Sequence, residues 1–519
     1  MKKSEIIILI LIILLAAFLR LFLLTSVPLS LHNDEALVGY EAWSILETGK
    51  DQYGVSFPLH FKTFGDYIPG LCYYATVPFV AVFGLTEFAV RFPSALFGIA
   101  TVYFIFLLAK ELFNNTKLSL LAAFLAACSP WLIHFSRLAF PAALLTLLLC
   151  AGLYLVVRGM RQGNYLSVLG AFLLALTIFT YPPAKVFTPL LCIALAVIYR
   201  KELRKHWQIL LGSVFVVLLV VGPIFYDTLT HYSEYQARFV SMSVFADGVS
   251  MQNLEILGEN YLAHFSPDYL FINGDSNLRH HFLFGMLYPF EIITVALGLI
   301  YLAINFKKKF TWLLGVWLAL WPLASALTTD GVPHSIRSVM GAPLLAIISA
   351  AGLWWAWEKI KRIKYLNFIG GFCTGLLTII LIVVWSYSYF TVYPYLSANY
   401  FRYGYPELFW ELEKLENDYN NIVLEKVWHQ PYMLKIFYGQ MDPEEFQNSG
   451  AVRGEMENGL VPLRELGQYR FVETIDKNNL QEGNLYVFSG AVTDLPAILT
   501  IDYPFGSSAF TLVEGENND

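Results

Sequence analysis

Charge is scarce in this 519-residue chain: Asp, Glu, Lys and Arg make up 14% of it, against roughly 25% in soluble globular domains. That deficit excludes an ordinary soluble fold, and no basic stripe offers a nucleic acid an electrostatic footprint. Cysteine is also rare. The five, Cys72, Cys128, Cys150, Cys192 and Cys373, all fall in apolar segments, which excludes a disulfide framework and any zinc-binding Cys spacing. Neither a Walker nor a Rossmann fingerprint is present, so nothing points to a nucleotide site. No internal repeat or low-complexity tract interrupts the chain. What is abundant is apolar and aromatic: 57% and 16% of residues, with a mean hydropathy of +0.55.

Runs near or above the roughly 17 residues that span hydrocarbon lie at 6–24, 88–109, 118–133, 139–157, 165–180, 184–199, 207–226, 287–305, 310–327, 338–357 and 366–390. They predict an all-α polytopic membrane bundle of about eleven transmembrane helices. The first run follows Met1-Lys2-Lys3, is long for a signal sequence and has no small-x-small cleavage site before Pro28, so it is expected to stay, with its N-terminus inside. Alternation then puts Lys110 and Lys117; Arg158 and Arg161; Arg200, Lys201, Arg204 and Lys205; Lys307, Lys308 and Lys309; and Lys359, Lys361, Arg362 and Lys364 on inner loops. Five successive short basic loops agree with the positive-inside rule. The sequon "NNT" at 114–116 falls on the inner side and carries no weight. The expected location is a plasma or inner cell membrane.

An odd number of spans sends residues 391–519 to the outer face. This segment has 20 acidic and 8 basic residues, while 1–390 has 20 acidic and 26 basic; the shift marks a domain boundary. Residues 1–390 are expected to form the membrane domain and 391–519 a small extracytoplasmic α/β domain. Its strands are predicted at "NNIVLEKV", "QYRFVETI", "NLYVFSG" and "AILTIDYPFGSSAFTLV", after a helical "PELFWELEKLEND".

Unusual polar residues gather on the outer side, where ionisable groups near headgroup level tend to line a site. "DEALVGYEAWSIL" predicts an amphipathic helix along the interface, with Asp34 at its N-cap and Glu35 in its first turn. Two readings of Asp34 stand side by side: a cap, or a general base held at the membrane surface. Further on, "VSFPLHFKTFGDYIPGLCYYATVPFVAVFG" is too broken by proline to span and predicts a second interfacial or re-entrant element. In it, Lys62 and Asp66 bracket a glycine; Lys62 either snorkels or binds phosphate. The tight outer turns "SPWLIHFSRLAFP" and "FTYPPAKVFTP" carry His134, Arg137, Tyr181 and Lys185. Arg20, one turn below the outer surface, is expected to point into the bundle, and Arg91 is similarly ambiguous. The loops "SPDYLFINGDSNLRHHFLFGMLYP" and "TTDGVPHSIRSVMGAPLL" add Asp275, Arg279, His280, His281, His334 and Arg337. No HxxxH or HExxH spacing organises these histidines around a metal. Arginine with histidine suits an anionic headgroup.

These elements resemble the C-type integral-membrane glycosyltransferases, specifically the family 39-like enzymes related to protein mannosyltransferases and the lipid A aminoarabinose transferase. The resemblance rests on "RLFLLTSVPLSLHNDE", "GDYIPGLCYYATVPFVAVFG" with "VRFPSALFG", "HFSRLAFP", "FTYPPAK", "SPDYLFINGD" with "RHH", and "PHSIR" with "APLL", across residues 1–345. It implies inverting transfer of a hexosyl or pentosyl group from a polyprenyl-phosphate donor to an extracytoplasmic protein, lipid or glycan, with Asp34 as base and Glu35 beside it. The donor would be bound among membrane lipids by residues drawn from Arg20, Lys62, Asp66, Arg137, Tyr181, Lys185, Arg279, His280, His334 and Arg337. Where relatives carry Glu-Lys-Pro-Pro, this chain has "GDYIPG" and keeps Pro69. No cofactor is required by such chemistry, although a divalent metal stays open, and no nucleic acid is expected as a partner. A transporter of an anionic or lipid-linked substrate is the rival reading, predicting polar groups near the bilayer midplane. A scaffold built on the acidic C-terminal domain is a third.

Overall fold

Every one of the eleven apolar runs lies on a helix or a broken pair of helices. The computed structural model describes residues 1–519 except 233–234, 236–239, 362–363, 427–429, 456–460 and 516–519, and only the backbone of 364–374; Arg362 and the Cys373 side chain therefore lie outside the described residues. In chain order the elements are α1 (Lys3–Leu21), α2 (Asn33–Thr48), the hairpin β1 (His60–Thr63) and β2 (Asp66–Pro69), α3 (Leu71–Phe83), α4 (Glu87–Phe113), α5 (Thr116–Cys128) and α6 (Pro130–Arg137). Then come α7 (Ala142–Gln162), α8 (Leu166–Leu176), α9 (Ala184–Ile198), α10 (Arg200–Lys205), α11 (Trp207–Thr230), α12 (Met251–Ala263), α13 (Glu291–Ile304), α14 (Lys309–Leu320), α15 (Leu323–Ala326), α16 (Gly341–Ile360) and α17 (Lys364–Thr391). Among the described residues α1, α4, α7 and α11 are individually long and apolar enough to cross a membrane, and α5 with α6 makes a fifth span bent by 53°.

The chain folds as two units, one of Met1–Phe22 with Ser94–Phe390, the other of Leu23–Pro93 with Thr391–Asp519. In the first, helices approach through small residues, as expected where lipid removes the hydrophobic drive between helices. A Cβ on Gly298 of α13 would lie 2.1 Å from the Ile348 carbonyl of α16, and one on Gly352 would lie 2.0 Å from the Thr294 carbonyl. Thr294 Oγ1 and Ser349 Oγ close the same contact with a 2.6 Å hydrogen bond. The pair α7 and α8 is built alike: a Cβ on Gly159 would meet Ser167 N at 2.3 Å.

The second unit contains α18 (Tyr393–Ser397), α19 (Tyr405–Leu415), β3 (Asn421–Glu425), α20 (Tyr432–Tyr438), α21 (Pro443–Asn448) and strands β4 (Val452–Arg453), β5 (Leu463–Leu466), β6 (Tyr469–Val472), β7 (Asn484–Ser489), β8 (Ala497–Asp502) and β9 (Ser508–Glu514). These seven strands form one sheet in the order β4-β5-β6-β3-β7-β9-β8. β3 pairs in parallel with β6 and β7, and the other pairings are antiparallel. Ile422 and Leu424 of β3 and Leu485 and Val487 of β7 share one face of the sheet and are fully buried, as alternate strand residues facing a core should be. The five predicted C-terminal segments coincide with observed elements, the last of them with two strands, β8 and β9; α18, β4, β5, α20 and α21 are additions.

Against this sheet domain's helices packs α2, and here the amphipathic expectation fails. Ala36, Leu37, Val38, Tyr40, Glu41 and Ala42 are all buried, so nearly every face of α2 is covered by protein. Tyr40 Oη donates to the Met441 carbonyl at 2.9 Å, Tyr432 Oη to Gln52 Oε1 at 3.2 Å, and Gln447 Nε2 to the Asp51 carbonyl at 2.9 Å. A Cβ at Gly39 would collide with Val90 and Phe437, 2.5 and 2.6 Å away. The stretch after α2, expected as an interfacial or re-entrant element, is the β1–β2 hairpin followed by α3, whose 13 residues are too few to span.

Candidate active site

The N-cap of α2 is His32, not Asp34. Its Nδ1 lies 3.2 Å from Asp34 N, while Glu35 Oε2 accepts from His32 N at 3.1 Å, completing a reciprocal capping box with an imidazole in the usual Ser or Thr place. Asp34 thus sits inside the first turn, its side chain 50% exposed. The adjacent carboxylate has the opposite environment. Glu35 is fully buried and takes a bidentate bond from Arg91, Nε to Oε1 at 3.0 Å and Nη2 to Oε2 at 3.1 Å. Arg91 spends its remaining donors on the carbonyls of Leu24, Pro28 and Ser30, at 3.3, 2.9 and 2.6 Å. One of the two carboxylates therefore anchors the turn, and the other is presented by it. Arg402, 369 positions from Asn33, donates to Asn33 Oδ1 at 3.2 Å and lies 3.3 Å from His32 Nε2. No local pattern could have announced that cation.

In the same unit, Lys62 and Asp66 face each other across the hairpin's antiparallel ladder only indirectly: Lys62 pairs with Tyr67 and Thr63 with Asp66. The Lys62 ammonium lies over the rings of Tyr53 and Tyr67, 5.4 and 5.8 Å from their centroids, and Arg453 covers Tyr53 at 4.4 Å. Asp66 Oδ1 accepts from Tyr67 N at 2.8 Å.

The remaining predicted residues belong to the other unit. Arg20 and Arg137 are fully buried, and "HFSR" is not an open turn but the buried helix α6. A helix leaves its last carbonyls without intrahelical partners, and these two guanidinium groups supply them. Arg20 donates to Ala127 O at 3.0 Å and Ala126 O at 3.3 Å, at the end of α5. Arg137 donates to Leu19 O and Arg20 O, both at 3.1 Å, at the end of α1. Tyr288 Oη serves the next carbonyl, Cys128 O, at 2.9 Å. Positive charge at a helix C-terminus is also favoured by its dipole. Tyr181 and Lys185 are half-buried at the start of α9.

The two long loops meet. Asp275 Oδ2 accepts from His280 Nδ1 at 2.7 Å and from Ser335 N and Oγ at 3.1 and 2.5 Å. The rings of His280 and His334 lie 4.8 Å apart. Burial opposes ionisation of Asp275, but the His280 charge and the bonds from His280 and Ser335 outweigh it and hold the carboxyl below its usual range. Burial lowers His334, which favours its neutral imidazole. Arg279 places its carbonyl 2.5 Å from His134 Nε2. Arg337 bonds to Thr328 Oγ1 at 2.8 Å and to the Asp330 carbonyl and carboxylate at 2.7 and 3.0 Å.

Residues 69–226 match the family described as dolichyl-phosphate-mannose-protein mannosyltransferase. No curated protein matches the chain. Among solved structures, ArnT from Cupriavidus metallidurans bound to undecaprenyl phosphate is 13% identical, with a TM-score of 0.58, covering 100% of this chain and 99% of that one. The archaeal oligosaccharyltransferase AglB from Archaeoglobus fulgidus, in complex with an inhibitory peptide and a dolichol-phosphate, is 13% identical with a TM-score of 0.54 over 84% of this chain. The present chain spans only 64% of that oligosaccharyltransferase's length. A multi-pass membrane protein with this fold, this sheet-bearing C-terminal part and this family signature in residues 69–226 is similar to the C-type integral-membrane glycosyltransferases of the family 39-like group.

Proposed function

We propose that this protein transfers one sugar, with inversion, from a polyprenyl-phosphate donor to an acceptor on the outer side of the membrane, and that Asp34 is the general base. The observation that carries the reading is the division of labour in the acidic pair. Glu35 is consumed by Arg91 and His32 caps the helix, whereas the Asp34 carboxylate is half-exposed, with Oδ2 3.3 Å from His32 Nδ1. The acceptor hydroxyl would give its proton to Asp34 as its oxygen attacks the anomeric carbon. The bond from that carbon to the phosphate oxygen breaks, and its electron pair leaves with the polyprenyl phosphate. Cations stabilise that departing charge; Lys62, in the same unit as Asp34, is assigned this role, while Arg20 and Arg137 tie helix ends. Eleven spans, an inner N-terminus and an outer C-terminal segment complete the reading.

Sugar transfer from a purified prenyl-phosphate donor, measured with Asp34→Asn, tests it. The amide retains shape and removes the basic oxygen, so the rate is expected to fall about a hundredfold or more with donor binding retained. Wild-type transfer by this variant would refute Asp34 as the base.

A further inference from the structure

We infer that Asp275, His280 and His334 form a binding site for a single divalent transition-metal ion of the zinc class, which clasps the 268–290 loop to the 328–340 loop. The assignment does not rest on the proposed sugar transfer. The three residues each offer a ligand atom, and those atoms all lie within 4.8 Å of one another. In a tetrahedral zinc site with bonds of roughly 2.0–2.1 Å, ligand atoms are separated by about 3.4 Å. Coordination would draw the wider pairs together and replace the Asp275 Oδ2–His280 Nδ1 hydrogen bond, now 2.7 Å.

Three features of the surroundings fit a metal better than a simple hydrogen-bonded dyad. First, two imidazoles and one carboxylate are a donor set that zinc and its neighbours prefer, whereas calcium and magnesium favour oxygen throughout. Second, His334 Nδ1 is buried and has no hydrogen-bond partner among the described residues, a costly omission that coordination would cure. Third, the carboxylate is already held in place: Ser335 donates both its N–H and its hydroxyl to Asp275 Oδ2, and Asn277 N–H donates to Oδ1 at 2.9 Å, as outer-shell bonds fix metal ligands. Asp275 and His280 come from one loop and His334 from another, 54 residues beyond His280, so no linear spacing motif arises. Three protein ligands leave a fourth position open for water or an oxygen of an incoming anion.

The test uses the full-length protein in detergent, stripped with a chelator, reloaded with Zn2+ and desalted before metal analysis. About one zinc per chain should be retained, with a melting temperature several degrees above the stripped protein, and Co2+ in its place should give the visible bands of tetrahedral coordination. His334→Gln and Asp275→Asn should each abolish retention, and Ser335→Ala should weaken affinity about tenfold or more while leaving all ligands in place. Retention of equal zinc by wild type and both ligand variants would mean an adventitious ion only and overturn the assignment. If a ligand variant fails to fold, wild type decides: no Co2+ bands and no thermal shift on reloading overturn it equally.

Discussion

Removing the charge from Glu35 should damage the protein far more than removing it from Asp34, although the two are neighbours. Glu35 and Arg91 are both 0% exposed, so Glu35→Gln leaves a buried guanidinium facing an amide. At least one Gln atom then presents N–H toward an Arg N–H. Breaking a buried pair from one side costs about 3–5 kcal/mol; the three carbonyls that still hold Arg91 put the expectation near the lower end, about 3 kcal/mol. For a folding unit of about 200 residues that corresponds to a fall of roughly 6–12 °C in melting temperature. Asp34→Asn, on a half-exposed side chain that does not cap α2, should change it by about 2 °C at most. The stronger test is the cycle. Glu35→Leu with Arg91→Met removes both charges and should recover stability relative to either single variant, with a coupling of about 2 kcal/mol or more. Thermal unfolding of the purified variants in one detergent reads all of this. A Glu35→Gln protein that melts with wild type, or a double variant no better than the sum of its parts, would refute the ion pair as the anchor of the turn.

Gly352→Val should destabilise the protein by about 1–3 kcal/mol, because its side chain would enter the Thr294 carbonyl across the α13–α16 contact; thermal unfolding measures it, and an unchanged transition would rule out close packing there. Burial, reinforced by Asp51 and opposed by two bonds from Gln52, pushes the Glu41 carboxyl well above its usual range. Its folded-state pKa is raised, so its contribution is fully present below the unfolded value near 4.3 and is lost as pH rises toward the folded one, by up to about 1.4 kcal/mol per pH unit. Melting temperature should therefore fall from pH 5 to pH 8 in wild type, and Glu41→Gln should flatten the profile; parallel profiles would sink this assignment. For topology, a membrane-impermeant thiol reagent on intact cells should label Glu482→Cys and spare Lys308→Cys in a cysteine-free background, and the reverse pattern would defeat an outer C-terminal segment.

Hydrophobic patterning made most of the architecture legible. Runs such as 207–226 are helices because nothing else satisfies their backbone in lipid, and "NNIVLEKV" is a strand whose alternate residues Ile422 and Leu424 are buried. The acidic pair was legible as a special place, but its internal arrangement was not. Histidine is an uncommon cap, so His32 gave no signal, and α2 looked amphipathic because sequence cannot say that its polar face, with Glu41 bonded to Gln52 at 2.7 Å, would also be covered. The clamps made by Arg20 and Arg137 were invisible because their acceptors are backbone carbonyls, which every sequence has. The meeting of Asp275, His280 and His334 depends on two loops distant along the chain.

The packing of α2 against α20 and α21 has a consequence for how the protein is made. The helix bearing Asp34 emerges among the first fifty residues, yet its neighbours Tyr432, Phe437, Met441 and Gln447 are synthesised about 400 residues later. Contacts of such sequence separation form slowly, and larger chains assemble part by part as they emerge. Until the ribosome has nearly finished and the last segment has folded, α2 has an uncovered face, and the presentation of Asp34 is incomplete. Under the proposed reading, a nascent or prematurely terminated chain would be inserted but inert.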